Sequence, residues 1–277
     1  MKLQDTFFSM PRFVNLCRKE MVESWRAYLL RVSMIYGAFA ILLVWNSYFK
    51  YRVAPQLPDN YAVYAVRSFT TYTFIWFLFI MGSVSASFMM ERMKRKTGRI
   101  HTLMTPATPF EQFFSRWLIL TFGFLAAFLI AYTLGDWTRV LIYRMVYPSL
   151  SGVIEPVSVF TIIRQIGLVG LIKGDLDIWT ALSLYLFVQS FFVLGSSLWP
   201  RHALVRTFVA GVSILIAYML VGMGTFYAFE PDNFRGGVSF SEQTAQMWMN
   251  IFLSVMVVVN WTLAYFRFKE SEIINRW

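Results

Sequence analysis

The run Phe69-Thr-Thr-Tyr-Thr-Phe-Ile-Trp-Phe-Leu-Phe-Ile-Met-Gly-Ser-Val-Ser-Ala-Ser-Phe-Met-Met90 decides the fold, because it carries no charge over 22 residues. About 20 consecutive apolar residues are enough for an α-helix to cross a bilayer. A helix also pairs all of its own backbone polar groups, which hydrocarbon requires. The run therefore predicts a transmembrane helix.

Five further runs are long and apolar, the first of them flawed only by Arg31 one turn from its start. The chain of 277 residues is 57% apolar, 19% aromatic and only 14% charged, whereas a soluble domain is about 25% charged. Together they predict six spans: 27–48, 69–90, 117–134, 178–199, 203–224 and 247–266. We therefore predict an all-α polytopic membrane protein with a transmembrane domain over 27–266. This composition excludes a soluble enzyme and a disordered protein, and the single cysteine, Cys17, excludes a disulfide-stapled module.

The segment 1–26 precedes the first span and is amphipathic. Its apolar residues recur at steps of three and four, with cations mostly between them. That pattern is typical of a helix lying in the membrane interface. We predict an interfacial elbow helix that leads into the first span. Packing of this helix against the ends of the bundle is equally compatible with the pattern.

The basic residues predict the topology. Of the 25 Lys and Arg residues, 16 fall in 1–26, 91–116, 200–206 and 267–277, and 8 fall in the opposite loops. Cytoplasmic loops carry the excess of Lys and Arg. Both termini, including the tail 267–277, are therefore predicted to be cytoplasmic. The net charge of +10 then reports orientation in the lipid bilayer, and we expect no nucleic-acid partner.

The loop 91–116 is the most informative connection. It begins with cations at 92, 94, 95 and 96, and continues with a glycine, a short apolar stretch and a Thr-Pro turn. Gly98 is expected to break the helix. Thr108 is expected to cap a new helix, because Pro109 suits the first helical position and Glu111 suits the first turn. By charge alone, an ordinary positive loop that fixes topology is the favoured explanation of this stretch.

The order of residues in this loop resembles the membrane subunits (permeases) of type-2 ABC exporters, including bacterial ones. The positions that carry the resemblance are Glu91, Arg92, Thr97, Gly98, Leu103, Thr105, Pro106 and Glu111. The layout of an elbow helix, six spans and two inner termini is similar to that family as well. The turn Leu194-Gly-Ser-Ser-Leu-Trp-Pro-Arg-His-Ala203 also resembles bacterial relatives.

The resemblance implies a permease in the bacterial plasma (inner) membrane. The loop 91–116 would be a coupling loop that docks on cytoplasmic ABC ATPase subunits. A second copy of the permease, in a homo- or heterodimer, would complete the usual twelve spans. The chain lacks Gly-x-x-x-x-Gly-Lys-Ser/Thr, so the ATPase would have to be a separate subunit.

Catalytic and metal chemistry is not expected in this chain. His101 and His202 are the only histidines, and no cofactor, metal or catalytic residue is predicted. The middle of each predicted span lacks Asp and Glu, and Asp136 falls at an outer end. Gln189 and Asn260 are the polar residues deepest in the spans. They are candidates for interhelical hydrogen bonds and, as the alternative, for contacts with a transported substrate.

Two alternatives stay open. The segment 153–171 is amphipathic but interrupted by Glu155, Pro156 and Arg164, and it either lies on the outer surface or partly re-enters the membrane. At the level of function, the alternative to a permease is a non-transporting polytopic scaffold or accessory protein. Such a protein would bind partners through its basic cytoplasmic loop.

Overall fold

The computed structural model describes residues 7–53, 61–94, 96–148, 152, 154–166, 178–228 and 242–273. Within these residues the regular structure is helical and contains no β-strand. Six helices are long and apolar enough to cross a membrane. The prediction of an all-α polytopic membrane protein with six transmembrane helices is thereby confirmed.

The α-helices of the described residues are numbered in chain order. They are α1 Met10–Val53, α2 Tyr61–Ser87, α3 Lys96–Leu103, α4 Pro109–Leu118, α5 Phe124–Val146, α6 Val159–Ile166, α7 Ile178–Leu198, α8 Ala203–Ala228 and α9 Glu242–Ile273. A 3₁₀ turn covers Glu91–Lys94 and a π-helical turn covers Ile119–Gly123. Residues 1–6 of the predicted elbow, 95 of the predicted coupling loop, 153 and 167–171 of the doubtful segment and 274–277 of the predicted tail lie outside the described residues.

The chain divides into two compact units. Unit 1 is Met1–Gly82 with Ala107–Ile178, and unit 2 is Ser83–Pro106 with Trp179–Trp277. Unit 1 therefore contains α1, most of α2, and α4 to α6. Unit 2 contains α3 and α7 to α9.

Helix α1 is continuous over 44 residues, or about 66 Å at 1.5 Å per residue. That length is about twice the hydrocarbon thickness of a bilayer. The predicted elbow and the predicted first span thus belong to one helix. Its buried residues fall into two groups, Phe13, Leu16 and Glu20 near the start, and Ile35, Phe39, Leu43, Ser47 and Tyr51 farther on. The second group repeats every fourth residue, so it forms one line along the helix.

Helices α4 and α5 form one helical segment over 109–146 that contains the π-helical turn. Its start follows the predicted local rules. Thr108 is the N-cap, Pro109 follows, and Glu111 completes a capping box with Thr108. The predicted cap is confirmed, because it depends only on residues within one turn of each other.

The core of unit 1 is built around aromatic rings of α1, α2 and α5. The ring of Phe39 lies 5.0 Å from Phe77, 5.4 Å from Phe128 and 5.5 Å from Tyr132. Helix α5 approaches α1 closely at Gly135, where an added Cβ would lie 2.9 Å from the Cβ of Phe39. The missing side chain of Gly135 therefore permits this packing.

In unit 2, hydrogen bonds show that α7 and α9 run in the same direction. Thr180, near the start of α7, accepts hydrogen bonds from Gln246 (2.9 Å) and Asn250 (3.0 Å), near the start of α9. Asn260, farther along α9, donates to Ser190 of α7 at 3.1 Å. Helix α8 lies between them in the chain and begins after His202, which has a φ of 59°.

Candidate functional site

The segment that joins the second and third spans contains a separate short helix. Helix α2 ends at Ser87, and a 3₁₀ turn follows over Glu91–Lys94. Helix α3 covers eight residues, and residues 104–108 connect it to α4. Because eight helical residues are far too few to cross a bilayer, α3 is a connecting element.

The prediction that Gly98 breaks a helix is wrong. Gly98 lies inside α3, Lys96–Leu103. A Cβ added at Gly98 would collide with the backbone carbonyl oxygen of Arg92 in the 3₁₀ turn. Glycine at this position therefore permits α3 to pack directly on the preceding turn, which is a matter of space and not of helix termination.

Helix α3 and the turn residue after it, Met104, whose N–H donates to the carbonyl of Ile100 at 2.9 Å, present a partly apolar face. The exposed fraction is 47% for Ile100 and 79% for Met104, and a spacing of four places them on one side of a helix. Thr97 is exposed as well. Thr102 points inward, since it is buried and its hydroxyl donates to the carbonyl of Gly98 at 2.9 Å.

The remaining residues of the predicted coupling loop lie at the two ends of this segment. Glu91 is exposed and its Oε1 lies 4.0 Å from Nζ of Lys94. Thr105 donates to the carbonyl of His101 at 2.9 Å, and Pro106 is exposed in the turn that follows. Leu103 is the last residue of α3, and its side chain lies outside the described part of the structure. Arg92 belongs to the 3₁₀ turn.

Glu111 is fully buried and accepts four hydrogen bonds. Oε2 accepts from Nε of Arg12 at 2.7 Å and from the backbone N–H of Thr108 at 3.1 Å. Oε1 accepts from Nη2 of Arg12 at 2.9 Å and from the backbone N–H of Ser9 at 2.8 Å. The carboxylate thus joins the start of α1 to the start of α4.

A second ion pair lies along the same contact. Nε of Arg116 lies 3.4 Å from Oε1 of Glu20, and both side chains are buried. Aromatic rings meet across the same contact: the ring of Phe13 lies 5.3 Å from Phe114, and the ring of Phe7 lies 5.0 Å from Phe110. We call this part of unit 1 the Glu111 end.

The opposite end of unit 1, the Arg139 end, contains a buried ion pair. Nε of Arg139 lies 2.7 Å from Oδ1 of Asp136, and both side chains are almost fully buried. Nη1 of Arg139 also donates to the hydroxyl of Tyr51 at 3.0 Å. The sequence predicts Asp136 only as a residue at a helix end. The i, i+3 spacing of Asp136 and Arg139 was the available signal for their pairing.

Asn260 lies in an interhelical hydrogen bond. Its Nδ2 donates to Oγ of Ser190, which donates in turn to the carbonyl of Phe187 at 2.8 Å. This geometry favours the packing interpretation of Asn260 over a substrate contact. Gln189 is also buried, beside Ser190 in the sequence. In lipid, such bonds contribute about 0.6 kcal/mol on average.

In the described part of the chain, no three His, Cys, Asp or Glu side chains are grouped so that they could hold a metal ion. The polar side chains that come together there form ion pairs and hydrogen bonds, some within one helix and some between helices. No protein-family model, curated protein or solved structure matches this chain. The geometry and the residue pattern of the 91–116 segment are therefore the observations that bear on function.

Proposed function

We propose that this chain is the permease subunit of an ATP-driven exporter of the ABC type. Helix α3 would dock on a separate ATPase subunit. The observation that carries the proposal is the short α3 between two spans, with Ile100 of α3 and Met104 of the turn that ends it exposed on one side. Short amphipathic helices bind partners by laying such i, i+4 side chains into an apolar groove.

The Glu111 end supplies a route for the coupling. Residues 104–108 connect α3 to α4, and Glu111 joins the start of α4 to the start of α1. A displacement of the loop would therefore act on α1 and α4 together. In a permease, those two helices would carry the displacement into the membrane.

The basic residues support a cytoplasmic position for the 91–116 loop and both termini. The membrane would be the bacterial plasma membrane.

The cytoplasmic position of the 91–116 loop is tested with a cysteine-free variant, Cys17→Ser, that receives one new cysteine at Thr97 or at Gly152. An impermeant maleimide should label Thr97→Cys only from the cytoplasmic side and Gly152→Cys only from the other side. Reversed labelling would overturn the topology and with it the docking of a cytoplasmic ATPase.

Two permease chains would be needed for the usual twelve spans, as two copies of this chain or as this chain with a related one. The substrate-conducting path would then lie between them. Crosslinking of the purified complex measures this stoichiometry. One permease chain for every two ATPase subunits would contradict it.

The decisive experiment is co-expression of the full chain with each P-loop ATPase encoded beside its gene. If the chain is a permease, we expect one ATPase to co-purify with it and to hydrolyse ATP in proteoliposomes. The double variant Ile100→Ala/Met104→Ala should reduce co-purification at least about tenfold, since two buried anchors are each worth more than about 1 kcal/mol.

A matched control is available on α5. Ile142 and Met145 are also exposed, 38% and 78%, and lie three residues apart. Ile142→Ala/Met145→Ala should leave ATPase co-purification unchanged. The permease proposal fails if no ATPase binds, or if both double variants weaken binding equally. A bound partner without ATPase activity would favour the non-transporting scaffold.

A further inference from the structure

After α5 the chain turns back and runs alongside that helix. Nε of Arg144 donates to the carbonyl of Ile154 at 3.1 Å, and Nη2 of Arg139 donates to the carbonyl of Glu155 at 3.0 Å. Val157 follows with two bonds to residues still earlier in α5. As the residue numbers rise from 154 to 157, the residue numbers of their hydrogen-bond partners in α5 fall from 144 to 132. Residues 154–157 therefore run antiparallel to α5.

The returning segment reaches far along the helix. Val157 bonds to Tyr132, which lies about 14 residues before the end of α5 at Val146, or about 21 Å at 1.5 Å per residue. Helix α6 follows directly, and its Ile162 is completely buried in the cluster that contains Phe39 and Phe128.

Phe128 lies inside the uncharged run 117–134 of the third span. It lies about 9 Å from the end of that run, at 1.5 Å per residue. The apolar run of a span occupies the hydrocarbon core, which is about 30 Å thick. Ile162 packs in the same cluster as Phe128 and so lies at hydrocarbon depth.

Non-helical backbone at this depth, as in residues 154–158, must have its polar groups paired within the protein. Val157 donates its N–H to Oδ2 of Asp136 at 2.7 Å, and its carbonyl accepts from the hydroxyl of Tyr132 at 2.8 Å. Pro156 has no N–H to pair. At the start of α6, the hydroxyl of Ser158 accepts from the N–H of Thr161 at 3.2 Å. The polar residues of α5 therefore make the hydrogen bonds to this backbone that water would make outside the membrane.

We propose that residues 154–166 form a re-entrant segment, in which α6 around Ile162 lies in the hydrocarbon of the leaflet at the Arg139 end. Its occupant on the outward side is lipid. Phe160 is 79% exposed and lies two residues from buried Ile162, on the opposite side of α6. An aromatic side chain exposed at this depth contacts acyl chains. The proposal depends on the membrane character of the chain and not on the transport function.

The test is spin labelling in phospholipid vesicles. A single cysteine replaces Phe160, Gly152 or Ile130 in the Cys17→Ser variant, and each receives a nitroxide. Gly152 is the aqueous control, with open space where a Cβ would lie. Ile130 is the lipid control, because it is 57% exposed on α5 within the uncharged run. All three positions are exposed, so the labels displace no packed side chain.

Collision with apolar oxygen and with a water-soluble nickel chelate gives the depth of each label. The ratio of oxygen to nickel collision at Phe160→Cys should match that at Ile130→Cys and exceed that at Gly152→Cys several-fold. A ratio at Phe160→Cys equal to that at Gly152→Cys overturns the proposal. As a second measurement, an impermeant maleimide should label Phe160→Cys only after detergent is added. Complete labelling in sealed vesicles from either side would contradict lipid burial.

Discussion

Arg12 and Glu111 lie 99 positions apart in the chain, and their side chains meet in two hydrogen bonds of 2.7 and 2.9 Å. The carboxylate is completely buried, while one third of the Arg12 side chain is exposed. Backbone N–H groups of Ser9 and Thr108 complete its coordination. This carboxylate therefore stabilises the contact of two helix starts at once.

Glu111→Gln should lower the thermal unfolding midpoint of the detergent-solubilised protein. The substitution removes the charge that pairs with Arg12 and offers an N–H₂ group to backbone donors. We expect a loss of about 2 kcal/mol, because hydrogen bonds to charged groups contribute about 1.5–3 kcal/mol each and Arg12 can partly turn to water.

Glu270→Gln is the matched control. Glu270 also pairs with an arginine, Arg267, at 3.3 Å, but its side chain is 61% exposed. Exposed ion pairs contribute about 0–1 kcal/mol. Equal shifts of the unfolding midpoint in the two variants would contradict the role assigned to Glu111.

Asp136→Asn should destabilise the Arg139 end strongly. The change leaves Arg139 buried without its counter-charge and weakens the bond to the N–H of Val157. Breaking a buried pair on one side costs about 3–5 kcal/mol. Tyr51→Phe removes only one hydrogen bond to Arg139 and should cost about 1 kcal/mol.

The relative stability of these two variants is measured by thermal unfolding and by limited proteolysis near residues 152–158. Asp136→Asn should unfold first and be cleaved faster. If Tyr51→Phe were the more destabilised protein, the ion pair would not be what holds the returning segment.

Gly195→Ala should loosen the packing of α7 against α8. A Cβ at Gly195 would lie 2.7 Å from Cβ of Thr207 and collide with the rest of that side chain. Overpacking of this kind costs about 1–3 kcal/mol. Adding Thr207→Ala should restore part of the loss, since it removes the two outer atoms of the collision.

Gly37→Ala is the control for this prediction. No atom lies within 4 Å of a Cβ at Gly37 in α1, so the gain in helix propensity of about 1 kcal/mol should dominate. The unfolding midpoint should rise for Gly37→Ala and fall for Gly195→Ala. A fall in both would show that close approach to Thr207 is not the cause.

Asn260 and Ser190 should show energetic coupling. A double-mutant cycle with Asn260→Ala and Ser190→Ala, measured by unfolding, is expected to give about 0.6–1.7 kcal/mol. The control pair is Asn260 with Ser254, which bonds only to the backbone of its own helix at 2.8 Å. That pair should give no coupling, and equal coupling in both cycles would contradict a direct bond.

Local features of this chain could be predicted from the sequence. The cap of α4 depends on Thr108, Pro109 and Glu111, which lie within one helical turn, so their spacing alone predicted it. Gly98 is the instructive failure. Its role follows from the path of the backbone at Arg92, and helix-breaking tendency carries no information about such a contact.

The partners of buried charges could not be predicted in the same way. The sequence predicted Glu111 in the first turn of a helix, and it lies there. Its ion-pair partner Arg12, however, lies 99 positions earlier in the chain. Many cations stand at the same end of the chain, and hydropathy does not distinguish among them. Only the packing of α1 on α4 selects one.

The sequence by itself determined that the chain is a helical membrane protein with six spans, because hydrophobicity and helix length are properties of contiguous residues. It left open whether the stretch 153–171 lies on the surface or returns into the membrane. Tertiary structure decided that residues 154–157 return along α5. The physical reason is that non-helical backbone is stable there only where its polar groups are paired, and Tyr132, Asp136 and Arg139 pair them. That pairing depends on which faces of distant segments meet.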